Sequence, residues 1–124
     1  MEERLGTVTI APQVLLTIAR LTTLSVPGVA AMSSSLVGNV GRLLGRRSLS
    51  EGIHVQVEDD VVYLDLHILV EPDVNLLELG RQIQQATARS INDMLGMQVG
   101  EVNVHIEDVV LPRQGEDRGQ EEEG

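Results

Sequence analysis

Gly52-Ile53-His54-Val55-Gln56-Val57-Glu58-Asp59-Asp60-Val61-Val62-Tyr63-Leu64-Asp65-Leu66-His67-Ile68-Leu69-Val70 is the stretch whose reading decides the fold. Apolar and polar residues alternate on both sides of Glu58-Asp59-Asp60, the period of half-buried strands around a turn. With Asp59-Asp60 as a two-residue turn, Val57 faces Val62, Val55 faces Leu64 and Ile53 faces Leu66. Ile68 and Val70 continue that apolar face. The same register sets His54 opposite Asp65 and Gln56 opposite Tyr63 on the other face. A slip of one residue would put valines against polar groups, so the hairpin has one sensible register.

The period then changes from two to about 3.6. Asn75 is a good N-cap, Glu78 completes a capping box, and Val74 and Leu79 are spaced as a hydrophobic staple. Leu76, Leu79, Ile83, Ala86, Ser90, Ile91 and Met94 form one face of a helix, which Gly96 ends. Met97 to Val109 returns to alternation, with Val102, Val104 and Ile106 inward and Asn103, His105 and Glu107 outward. Upstream, Leu5 to Ile10 alternates as a short strand. Pro12 opens a helix with Val14, Leu15, Ile18, Leu21 and Ser25 as its apolar stripe. That helix ends near Leu24, because Pro27 disfavours helix at Val26. Val29 to Met32 reads as a second short strand. Ser33 to Glu51, with Gly38, Gly41 and Gly45, reads as a long connection holding a Gly-weakened amphipathic helix.

Two amphipathic helices and three or four strands give an α+β fold. It is a two-layer sandwich, with both helices on one face of a three- to four-stranded sheet. Residues 1–111 are expected to form one domain, and residues 112–124 an acidic disordered tail with nothing apolar to bury.

Composition narrows the chemistry. The 124 residues are 42% hydrophobic, yet Tyr63 is the only aromatic, so the core must be aliphatic and base stacking on aromatics is excluded. The net charge is −10. A field of that sign repels DNA and anionic lipid, so binding either would need a local basic patch. All nine basic residues are Arg, which excludes lysine chemistry, and the absence of Cys excludes disulfides and thiolate sites. No signal peptide or membrane-spanning run is read, and the expected location is cytoplasmic.

Three places could carry function. His54, Asp65 and His67 lie on the polar sheet face, where imidazoles and a carboxylate could bind a divalent metal or a small ligand. No paired motif such as H-E-x-x-H supports a resident cofactor. Gly38-Asn39-Val40-Gly41-Arg42 with Arg46-Arg47 matches a G-x-x-G nucleic-acid loop. Arg42, Leu43, Arg46 and Arg47 also suit a partner-facing element. No G-x-S-x-G elbow is present, and paired acids such as Asp59-Asp60 read as solvated.

Gly6-x-Val8-x-Ile10, Val26-Pro27-Gly28-Val29, Gly52 to Val57 and Val99-Gly100-Glu101-Val102-Asn103-Val104-His105-Ile106 stand in an order that resembles the alkaline shock, or Gls24-type, envelope stress response family. The resemblance covers about residues 5–111; Ala11 departs from it where a polar cap is usual. It implies a bacterial, cytoplasmic, non-catalytic scaffold or adaptor for envelope homeostasis. Some such proteins meet the membrane through a membrane-anchored protein partner, and some self-associate. It implies no active-site residues and no cofactor.

Overall fold

The computed structural model describes residues 5–33, 49–50 and 52–111. Arg42, Leu43, Arg46, Arg47, the Gly38–Arg47 loop and the 112–124 tail lie outside those residues. Helix α1 spans Pro12–Ser25 and strand β1 Val29–Met32. Strands β2 (Leu49–Ser50), β3 (Ile53–Glu58) and β4 (Val61–Val70) follow. Helix α2 (Leu76–Leu95) leads to strand β5 (Gln98–Val109). This is the expected α+β arrangement, with a two-residue strand added to the sheet.

The hairpin has the register read from its alternation: Ile53 faces Leu66, His54 faces Asp65 and Val57 faces Val62. Asp59 and Asp60 both take positive φ, 54° and 66°. That is the geometry of a type I′ turn, which matches the twist of its strands and which Asp tolerates better than most residues. Val62, Leu64, Leu66, Ile68 and Val70 are essentially inaccessible. Val57, expected inside, is half exposed, lining an open cleft between β3 and the start of α1.

Strand β4 is longer than β3, so its second half needs another neighbour. β1 supplies it, setting Met32 opposite Ile68 and Val29 opposite Val70. On its other side β4 pairs with β5 in parallel, the outcome of a strand-helix-strand crossover. Leu5 to Ile10 is a correction. Among the described residues it pairs with nothing, and Leu5 and Val8 are 90% and 92% exposed. The β1 residues, not these, complete the flank of β4.

The start of α2 is as expected. The Asn75 side chain accepts from the Glu78 N–H at 3.0 Å, and Gly96 ends the helix in the left-handed region. Val74 and Leu79 both border Gly28, where an added Cβ would stand 3.3 and 3.4 Å from them. The helix stripes need correcting. α1 buries Leu15, Leu16, Ile18, Ala19 and Thr23 while Leu21 is exposed, because α1 packs against both α2 and the sheet. On α2, Leu79, Ile83, Thr87 and Ile91 are buried, but Leu76 and Met94 at its ends are exposed.

Gly52 sits where three strands crowd together. Its φ is +83°, and a Cβ there would stand 2.6 Å from the Ser33 carbonyl oxygen and 2.7 Å from that of His67. Gly52→Ala is therefore expected to destabilise the fold by roughly 1–3 kcal/mol through backbone strain, with the clash adding to that. Urea denaturation with a midpoint equal to wild type would contradict this geometry.

Candidate functional site: a histidine–carboxylate sheet face

Alternation in β4 sends its even-numbered residues into the core and Tyr63, Asp65 and His67 to the outer face. The pairings across the sheet then decide what they meet. β3 brings His54 opposite Asp65. β5 brings Asn103 beside Asp65 and His105 beside His67. A shift in the β4–β5 register between Val62 and Tyr63 lets Gly100 pass under the Tyr63 ring, where a Cβ would stand 2.7 Å from it. Without that shift the Asn103 and His105 side chains would fall on the core face.

Two carboxylates organise the face. Asp65 Oδ1 accepts from Asn103 Nδ2 at 3.0 Å and stands 3.4 Å from His105 Nε2. Its other oxygen is 3.7 Å from His54 Nδ1, an ion-pair distance rather than a hydrogen bond. Glu107 Oε1 accepts from Ser33 Oγ at 2.6 Å, and Oε2 lies 2.6 Å from His67 Nδ1. An ionised carboxylate only accepts, so the His67 proton sits on Nδ1. The His67 and His105 rings stack, with centroids 4.4 Å apart and planes 12° off parallel, and so join the two clusters.

The backbone fixes this junction. The His67 N–H donates to the Gly52 carbonyl and its carbonyl accepts from the Ser33 N–H, both at 2.8 Å. Ser33 is buried. It therefore acts as a strut beneath Glu107. Its hydroxyl donates to the carboxylate, whereas a nucleophilic serine would donate to a base such as His67.

The three candidates His54, Asp65 and His67 meet different carboxylates. His54 joins Asp65, but His67 turns to Glu107. Among the described residues no group of three or more His, Asp or Glu is arranged to hold a metal ion. Sequence reasoning missed the contacts of Ser33, Asn103, His105 and Glu107. A parallel β4–β5 pairing, inferred from the intervening helix, would have placed His105 beside His67.

Both carboxyls titrate low. Burial pushes Asp65 up, but hydrogen bonds from Asn103 and His105 and the charges of His105 and His54 outweigh it, leaving it below the usual range. The Ser33 and His67 hydrogen bonds hold Glu107 below its usual range. The folded protein thus holds these protons less tightly than the unfolded chain does. The resulting stability is fully present above the ordinary carboxylate range and is lost as pH falls through the lower, folded values.

The chain matches the model of the alkaline shock protein 23 family, described as having a cell envelope-related function, over residues 1–111. It is 28% identical over 105 residues to the Bacillus subtilis protein YqhY, covering 85% of this chain and 78% of that one. It is 21% identical over 111 residues to Bacillus subtilis YloU, covering 88% and 92%. Among solved structures, the MamM CTD in its zinc form aligns with a TM-score of 0.48 at 12% identity, over 77% of this chain and 84% of that one.

Glu107→Gln keeps an acceptor for Ser33 but removes the charge. Its melting temperature, followed by calorimetry at low salt, is expected to lie below wild type at neutral pH and to converge with it on acidification. A constant gap at every pH would show that the Glu107 charge contributes nothing.

Proposed function

The chain belongs to the alkaline shock protein 23 family, and from that premise we propose that it is a non-enzymatic scaffold or adaptor in envelope homeostasis, acting through protein–protein contacts on its outer sheet face. The observation that carries this reading is the mutual engagement of His54, Asp65, His67, Asn103, His105 and Glu107 across three strands. Side chains that already hold one another lose little freedom when a partner arrives, so such a face is preorganised for binding. It mixes imidazoles that can carry charge with two carboxylates, and it suits a polar protein surface rather than a greasy one.

The partner class is an envelope protein, membrane-anchored, that recruits this chain from the cytoplasmic side. No helix among the described residues is long and apolar enough to cross a membrane.

Asn103→Arg and His105→Glu remove the contacts that hold Asp65 and the stack on His67, and are expected to lower the melting temperature by several degrees while leaving the chain folded at growth temperature. Introduced together into the native host lacking its own copy, they should fail to restore growth under a cell-wall antibiotic that wild type restores. Full restoration at equal protein level would remove the outer face from the function.

A further inference from the structure

We propose that Leu5–Ile10 is a donor strand that adds to the open edge of β5 in a second copy of the chain.

The segment has the alternation of a strand, with Val8 and Ile10 on one side and Thr7 and Thr9 on the other. Yet among the described residues it is unpaired, and Leu5, Val8 and Ile10 are all exposed. β5 offers the complement. It pairs with β4 alone, so its other edge carries unused backbone groups among the described residues. The Gln84 side chain donates to the Val102 carbonyl at 3.0 Å and occupies that position. The Val109 N–H is likewise taken by the Asp108 carboxylate at 2.8 Å, so the open edge among the described residues runs from Asn103 to Asp108, the length of a six-residue donor.

The helix side of this edge is a mixed cleft of about 370 Å³, lined by Leu77, Gly80, Val104 and Ile106 and by the polar side chains of Arg81 and Gln84. Leu77 is 67% exposed there. A strand laid beside β5 would put Val8 and Ile10 under α2 and leave its threonines on the polar face.

Reach excludes the chain's own segment. The start of α1 packs beside Val55 and Val57 on β3, with β4 between it and β5. Strands are about 4.8 Å apart, so a position outside β5 lies roughly 14 Å away sideways. Six extended residues span about 20 Å, which leaves about two to pair. The nearer β3 edge is open only past His54, because β2 takes Ile53 and His54.

Charge selects the donor over a β5–β5 contact. β5 carries Glu101, Glu107 and Asp108 and no Arg, whereas Leu5–Ile10 is uncharged in a chain of net charge −10. Pairing through it adds no like-charge repulsion to the acidic edge.

The chain has no cysteine, so a cross-link can be placed cleanly. Val8 is exposed, and a Cβ at Gly80 would meet nothing within 4 Å, so Val8→Cys and Gly80→Cys should both fold. Full-length chains carrying one change each, mixed and treated with a short bis-maleimide, are expected to give a Val8-to-Gly80 cross-linked dimer. Light scattering is expected to show wild type larger than a monomer. Val8→Arg, which brings a second guanidinium into the cleft beside Arg81, should weaken the association by more than about 100-fold while the variant chain stays folded. A monomeric wild type would overturn the proposal. So would an intrachain link in the Val8→Cys, Gly80→Cys double variant, or an assembly indifferent to Val8→Arg, which would assign the edge to β5 itself. A monomeric Val8→Arg chain that still restores envelope function would leave this proposal standing and separate it from the reading of the outer face.

Discussion

The structure depends on β4 being paired along its whole length on both sides. One side is shared between β3 and β1, and the other is taken by β5. This arrangement lets Val62, Leu64, Leu66, Ile68 and Val70 lie buried while their strand is paired on both sides. The aliphatic core follows from it. With one tyrosine in 124 residues, packing has to come from branched side chains in a single layer between sheet and helices.

The same constraint creates the outer face. Period-two alternation that buries the even residues of β4 must present Asp65 and His67 to the other side, and its neighbours must present theirs alongside. Core and candidate site are thus two sides of one strand. Glycines make the junction possible where backbones crowd: Gly52 lets Ser33 and His67 meet, and Gly100 lets β5 lie close under Tyr63.

Much of the framework was legible in the residues. The hairpin register followed from alternation and a two-residue turn, and α2 announced itself through Asn75, Glu78 and Gly96. Both are local signals. The His54–Asp65 pair was legible because it lies within the hairpin. What was not legible depends on distant pairings. Glu107 looks like a solvated acid until β5 lies parallel to β4, and Ser33 looks like a loop residue until β1 ends beside Gly52. Leu21 and Met94 sit at helical spacing but outside the buried arc, which packing against two surfaces sets. Leu5–Ile10 carries the pattern of a strand, and a pattern does not say which chain supplies the neighbour.

Parallel pairing of β5 with β4 assembles the outer face by laying His105 on His67. Nuclear Overhauser contacts between imidazole ring protons measure this directly, with chains labelled in histidine. Strong cross-peaks between the His67 and His105 rings, with His54 contacting neither as closely, are the predicted result. Absence of His67–His105 contacts in a folded, well-dispersed spectrum would contradict the register and the site built on it.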